Sequence, residues 1–520
     1  MRKLEILKNV GSSWVSLGIN IIIGFFLSPF ILHRLGDAAF GIWVLIFSVT
    51  GYYGIFDMGI RSSVIRYVSK FTAVEDKEGL AKFFNTSLAT YTAIGLAATL
   101  VTLIGSYFVG SLFQIPAAFL PTARLLFIIV GLSVAIGFPL GIFAGMLEGL
   151  QRFYLLNFTN IISLVLRAIL TVMALRRGYG LLTVGLITVL LPLLSSVARA
   201  VLVFRILPLP MGWKYIDRSV FSEMANYSGV TFVIQVAYKL RFKTDVVVIG
   251  KFLGSAAITQ FSIGGRLVDY ASEVVSSLAQ IFLPMSSQSD AKGDITQLRK
   301  IFVAGNRACA LVIFPVTAIL VILGKSVIEA WVGRRYVAGS YPVMLVILLP
   351  TTLILAQNAT PRIIYGMAKH RTLAWITSIE GIANLILSIV LVRWTGPMGG
   401  VMGDAIGTAV PLSFTALYFT PRYLSRLLGV RVWTFLREAY VLPLALCTPL
   451  IGVLLAMRHW LPVHRLIPLA AEILVAMLVY GAGLWWAVHT RRVYEVGNLA
   501  SPELLAAETT EMAESLTEQV

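Results

Sequence analysis

Apolar runs of about 20 residues recur fourteen times along this chain, and that recurrence limits its fold more than any other feature. They lie at roughly 12–33, 39–59, 83–109, 121–147, 154–176, 179–207, 227–250, 256–284, 304–324, 342–366, 372–392, 399–420, 439–457 and 466–488. Each is long enough for a helix to cross the hydrocarbon core of a bilayer. The chain is therefore expected to be an all-α, polytopic membrane protein with about 14 transmembrane helices. The first run follows "MRKLEILKN". It is too long for a signal-peptide core and lacks a clear small-residue cleavage site, so it reads as a retained span.

Charge follows the same logic. Only 13% of the 520 residues are charged, against roughly 25% in soluble proteins. The mean hydropathy is +0.85. A net charge of +17 would suggest nucleic acid in a soluble protein, but membrane proteins gather Lys and Arg in cytoplasmic loops. With the N-terminus inside, the inner segments hold 24 Lys and Arg and the outer loops 11. That bias places both termini in the cytoplasm, and no nucleic-acid partner is expected. The segment "RSSVIRYVSKF" (61–71) is amphipathic and reads as an interfacial helix. The tail from Tyr494 carries six Glu and no Lys or Arg, and reads as a solvated end. Cys309 and Cys447 have no partner spacing for a disulfide or a metal.

A repeat organises the spans. "HRLGDAAFGIW" (33–43) returns as "KFLGSAAITQF" (251–261), at an offset of 218 residues, or six spans. An even number of spans between copies makes the repeat parallel, a plan that transporters use with the substrate site at the repeat interface. The expected domains are an N-terminal six-helix lobe (1–207), a second six-helix lobe (208–420), two additional helices (421–490) and an acidic cytoplasmic tail (491–520).

Several motifs carry a resemblance to a known family: "FLSPFILHRLGDAAFGIW" (26–43), "GIFDMGIRSSVIRYVSKF" (54–71), "GMLEGLQRFYLLN" (145–157), "TDVVVIGKFLG" (244–254) and "LPMSSQ" (283–288). The chain resembles the polysaccharide flippases. These are the Wzx-like, polysaccharide-transporter branch of the multidrug/oligosaccharidyl-lipid/polysaccharide exporter superfamily. The resemblance implies two six-helix bundles around a central cavity. It also implies outward flipping of a polyprenyl-pyrophosphate-linked oligosaccharide, or export of a related polysaccharide intermediate, across a bacterial cytoplasmic membrane. Glycosyltransferases and a glycan polymerase would be the functional partners.

Charges inside the runs mark the candidate site, because charge at bilayer depth is costly and usually functional. In "AYKLRFKTDVVVIG" (237–250), helical spacing puts Lys239 and Lys243 on one face and Arg241 and Asp245 on another. Arg241 and Asp245 can pair with each other, which leaves the two lysines to seek water, another helix or an anionic ligand. The repeat offers a comparison: the equivalent positions Ile21, Ile23, Phe25 and Leu27 are apolar. The bland reading is snorkelling of the long side chains towards the interface. In the next span Arg266, Asp269 and Glu273 lie near one stripe. The two carboxylates there suit a shared proton or Na⁺, or else salt bridges to the cations of the preceding span.

Arg362 follows Pro361, which is expected to break its span. Arg167, Arg199, Glu380 and Asp404 are further buried candidates. Arg199 reads as interfacial, and Glu380 with Asn384 as glue between helices. Asp57 and Arg61 read first as a helix-end salt bridge and second as a gate. The substrate-binding candidates are thus Lys239, Arg241, Lys243, Arg266 and Arg362. Asp245, Asp269 and Glu273 would supply counter-charge or ion coupling.

Cations outnumber anions in the spans. That suits an anionic head group better than a cationic drug, although a cation-coupled multidrug exporter is the alternative. No H-E-x-x-H, G-x-S-x-G or Walker pattern is present, so neither an enzyme nor a cofactor is expected. A glycan polymerase or ligase would need large extramembrane loops, and the expected outer loops are short.

Overall fold

A computed structural model describes residues 3–57, 59–222, 224, 235–236, 239–240, 244–369, 371–460 and 466–490. All the regular structure among them is helical. Twelve helical stretches among them are long and apolar enough to cross a membrane. Six lie between Gly11 and Ile206, and six between Ile295 and His489. The difference from fourteen is local. The seventh expected span, 227–250, falls largely outside the described residues. The eighth is the helix Ser255–Ala279, in which Arg266, Asp269 and Glu273 interrupt the apolar composition.

Contacts divide the chain into two compact units. The first comprises Met1–Ser262 with Val392–Val401, and the second Ile263–Leu391 with Met402–Val520. The described residues of 208–262 fall in the first unit by contacts; the repeat groups that stretch by sequence with the second lobe.

In the first unit the chain runs α1 (Lys3–Leu35), α2 (Asp37–Gly51), a 3-10 turn (Tyr52–Asp57), α3 (Ile60–Ala73), α4 (Lys77–Leu112), α5 (Leu120–Gly149), α6 (Phe153–Arg176), α7 (Leu181–Ile206) and α8 (Thr244–Phe252). The next helix, α9 (Ser255–Ala279), begins here. Small residues let these helices approach, as expected where lipid supplies no hydrophobic drive between helices. A Cβ on Gly95 of α4 would lie 2.5 Å from the Ala135 carbonyl of α5. An aromatic core fills the space between α3, α4 and α5, with the Tyr67 and Phe83 rings 4.8 Å apart. The expected amphipathic segment is α3, which buries Ile60, Val64, Tyr67 and Val68 and leaves Arg66 exposed.

Both copies of the repeat form the same turn. Gly36 (φ 79°) separates α1 from α2, and Gly254 (φ 90°) separates α8 from α9. Positive φ is strained for residues with a Cβ, which explains why glycine recurs. The two turns also touch. The Thr259 hydroxyl donates to the Asp37 carbonyl at 2.8 Å, and Gly41 packs against Ser255.

In the second unit the chain continues through α9, α10 (Phe282–Ala291), α11 (Ile295–Val332), α12 (Val337–Ala356), α13 (Ala359–Gly366), α14 (Arg371–Phe414, bent at Gly396), α15 (Thr420–Leu427), α16 (Val432–Trp460) and α17 (Leu466–His489). Two arginines read from sequence as cytoplasmic are buried here. Arg299 donates to the Leu428 carbonyl at 2.8 Å, just past the end of α15. Arg307 donates to the Glu438 carbonyl of α16 at 2.8 Å and faces that residue's carboxylate at 3.6 Å. Their planar forks tie α11 to the segments around it. The Phe302 and Phe435 rings stack at 4.2 Å beside them.

The expected break at Pro361 is displaced. The span ends at Ala356, and Pro361 sits in the first turn of α13, where its missing N–H has no intrahelical partner to lose.

Gly41 gives a test of the turn-to-turn contact. A Cβ there would fall 1.8 Å from the Ser255 carbonyl oxygen, which is backbone and cannot swing aside. Gly41→Ala is expected to destabilise the purified protein by about 1–3 kcal/mol or more in thermal unfolding. Gly137→Ala, in open space, should leave the midpoint unchanged. Equal midpoints for the two variants would refute the contact.

Candidate functional site

The 3-10 turn after α2 ends at Asp57, and Gly59 in the left-handed conformation turns the chain into α3. This places Asp57 and Arg61 at one helix junction. They do not form the expected salt bridge. Arg61 pairs with Glu148 near the end of α5, and the Tyr91 hydroxyl of α4 donates to the Asp57 carboxylate. Asp57 stays within electrostatic reach of Arg61. Burial opposes the Arg61 charge, but Glu148 outweighs it, so the guanidinium pKa lies above the ordinary arginine value. Sequence reasoning missed Glu148, although "GMLEGLQRFYLLN" contains it. Nothing local in sequence joins positions 87 residues apart.

Arg199 of α7 lies within electrostatic reach of the Arg61–Glu148 pair. It is half-buried. Its Nε donates to Thr159 Oγ1 at 3.0 Å, and its Nη2 to Asn160 Oδ1 at 2.6 Å and to Ser195 Oγ at 2.8 Å. Above this network a cavity of about 320 Å³ opens between α1, α6 and α7, with Asn20, Asn160, Ser163, Arg167 and Arg199 in its wall. Asn160, Ser163 and Arg167 share one face of α6 by helical spacing. That stripe is legible in "NFTNIISLVLR", where Asn160, Ser163 and Arg167 recur at helical spacing. In the N-terminal half of α1, Asn157 donates to Ser12 and Ser13 at 2.9 and 3.0 Å, tying α6 to α1.

Of the cluster in "AYKLRFKTDVVVIG", Arg241 and Lys243 lie outside the described residues. Lys239 is half-buried, and its Nζ donates to the Gly51 carbonyl at 2.9 Å. One partner therefore comes from another helix, the negative end of α2. Asp245 is buried on α8 next to Thr244, whose hydroxyl lies 3.2 Å from the Tyr52 hydroxyl. Asp245 and Lys239 both belong to the first unit.

The remaining sequence candidates belong to the second unit. Arg266 of α9 sits 4.0 Å from both Asp269 and Glu273 and 4.6 Å from the Tyr270 ring centre. The two carboxylates thus share a cation from their own helix. Arg362 projects from α13 within electrostatic reach of Cys309 and Tyr365. Asn384 accepts from Ser388 at 3.0 Å and from Thr408 at 3.2 Å, in a buried cluster that joins the two halves of α14. Glu380 and Asp404 are buried on the same helix. Among the described residues, no three His, Cys, Asp or Glu side chains converge as a metal site.

Charge exchange tests the Arg61–Glu148 pair. Arg61→Glu or Glu148→Arg alone should lower the thermal midpoint, and the double exchange should restore most of the loss. A double variant as unstable as the sum of the singles would show that the two groups are not coupled.

A family model described as "Polysaccharide biosynthesis protein" matches residues 31–340. The uncharacterized membrane protein EpsK of Bacillus subtilis (strain 168) is 21% identical over 433 residues, covering 82% of this chain and 85% of EpsK. The putative O-antigen transporter of Shigella flexneri is 19% identical over 427 residues, covering 80% of this chain and 96% of the relative. Among solved structures, the lipid II flippase MurJ in an inward closed conformation aligns at a TM-score of 0.69 and 16% identity, over 94% of this chain and 100% of MurJ. An inward-facing multidrug resistance transporter of the MATE family aligns at 0.65 and 14%, over 79% of this chain and 94% of that one. At these identities the two structures establish a shared fold. The family match covers more than half of the sequence: the chain belongs to the polysaccharide biosynthesis protein family, in agreement with the motifs, and is a multi-pass membrane protein.

Proposed function

We propose that the protein flips a polyprenyl-pyrophosphate-linked oligosaccharide, or a related polysaccharide intermediate, across the bacterial cytoplasmic membrane by alternating access. The observation that carries this reading is the placement of arginine and lysine among the apolar helices of a polysaccharide-family transporter. Arg61, Arg167, Arg199 and Lys239 all lie in the first unit. Fixed cations at bilayer depth suit an anionic head group whose lipid tail stays in the hydrocarbon. The printed description of the Shigella relative, an O-antigen transporter, points the same way.

In this reading Lys239, Arg241, Lys243, Arg266 and Arg362 attract the head group. Asp245, Asp269 and Glu273 supply counter-charge or couple transport to H⁺ or Na⁺. Asp57 and Arg61 belong to a junction that moves when access alternates. Both termini face the cytoplasm, and no catalytic step is assigned to the protein. Its partners are membrane lipids, the glycosyltransferases that build the glycan and the polymerase that extends it.

The fold likeness to a multidrug transporter supports a second reading, cation-coupled drug export. Two measurements separate them. Loss of the gene should deplete surface glycan and accumulate unflipped lipid-linked units, with drug susceptibility unchanged; the reverse pattern would select drug export. In a reconstituted flipping assay, Lys239→Ala and Lys243→Ala should each impair transport at normal expression. Full activity of the double variant would remove these lysines from head-group binding.

A further inference from the structure

The polar cavity between α1, α6 and α7 is lined by two of the cations that support the flippase reading, Arg167 and Arg199, neither of which has yet been given a place on the substrate. We propose that it is an oxyanion subsite, which takes a phosphoryl or carboxylate group of the translocated head group together with neighbouring sugar hydroxyls. The proposal rests on the flippase reading and names a second place in the first unit where the substrate is held.

Three observations carry it. First, the wall holds two guanidiniums, Arg167 and Arg199, and among the described residues no acidic one. Second, the three hydrogen bonds that orient Arg199 go to neutral oxygens of Thr159, Asn160 and Ser195. They fix the fork without neutralising it. The carboxylate that acts on Arg199 electrostatically, Glu148, is already paired with Arg61. Third, the rest of the wall is Asn20, Asn160, Ser16 and Ser163, which supply amide and hydroxyl groups suited to sugar hydroxyls.

Size and depth agree. About 320 Å³ is at the lower end of small-molecule sites and accommodates a charged group with one sugar ring. Counted from the start of α6, Asn160 lies about 10 Å and Arg167 about 21 Å along the helix axis. The cavity therefore runs from near one end of the span towards its middle. Arginine is suited to carboxylate and phosphate because its planar fork can donate two parallel bonds.

The test uses the full chain in phosphatidylcholine nanodiscs, titrated calorimetrically with geranyl pyrophosphate and, separately, with methyl glucuronide. Binding of the first assigns the carrier's pyrophosphate, and binding of the second an acidic sugar of the glycan; either supports the subsite. Arg167→Gln should weaken that binding roughly tenfold or more, the scale of one lost charge-assisted hydrogen bond. Ser163→Leu fills the cavity without removing a charge and should do the same, so a misfolded Arg167 variant does not decide the matter. Titration of neither probe, or affinities unchanged in both variants, would overturn the proposal. So would a titration that phosphatidylglycerol in the nanodisc suppresses, because bulk phospholipid would then be the occupant. Wild-type flipping is measured in parallel. Its absence would count against the flippase reading, whereas wild-type flipping with no effect of either variant would count against the subsite alone.

Discussion

Inside a bilayer a backbone carbonyl has no water to turn to, and leaving it unsatisfied costs several kcal/mol. Much of this structure follows from that constraint. At several helix ends and bends, a polar side chain from elsewhere meets an exposed carbonyl. Lys239 caps the end of α2 at Gly51, and Arg299 does the same beyond α15 at Leu428. Gln357 donates to the Ala416 carbonyl at 2.8 Å, where α14 gives way to a π-helical turn. Tyr480 reaches the Leu311 carbonyl at 2.6 Å. These bonds join segments distant in sequence, so the same interactions that satisfy the backbone also fix the helices in place.

This constraint divides the intramembrane charges into two groups. One group serves carbonyls: Arg299, Arg307 and Lys239 have backbone acceptors on neighbouring segments. The other group faces a cavity or other side chains: Arg167 and Arg199 line the polar cavity, and Arg266 lies between two carboxylates. A count of cations against anions along the spans cannot make this distinction. Lys239 shows the difference well. Sequence left it to seek water, another helix or an anionic ligand, and the structure places the negative end of a helix beside it.

Much of the architecture was legible in the residues. Twelve of the fourteen expected spans have described helices apolar enough to cross a membrane, and Ser255–Ala279 coincides with the eighth. The repeat was legible because glycine at positive φ leaves a mark in sequence, and both copies carry it. The site was less legible. Asp57 and Arg61 are four residues apart and seemed to be partners, yet each bonds across the unit, to Tyr91 and Glu148. The partners of Arg199 were not legible either: Thr159 and Asn160 of α6 and Ser195 of its own helix accept its hydrogen bonds.

The sequence by itself determined that this chain crosses a membrane many times, that it carries a repeated turn, and which charges enter its spans. Those properties depend on composition and on periods within one segment, so they survive without knowledge of the neighbours. Tertiary structure alone decided which charges meet and which line a cavity. Helical spacing fixes the angle between two residues on one helix, but not the rotation of that helix against the next. That rotation is set by packing, at contacts such as Gly41 on Ser255 and Gly95 on Ala135. The cavity of α1, α6 and α7 exists because packing turns Asn20, Arg167 and Arg199, far apart in the chain, towards the same space.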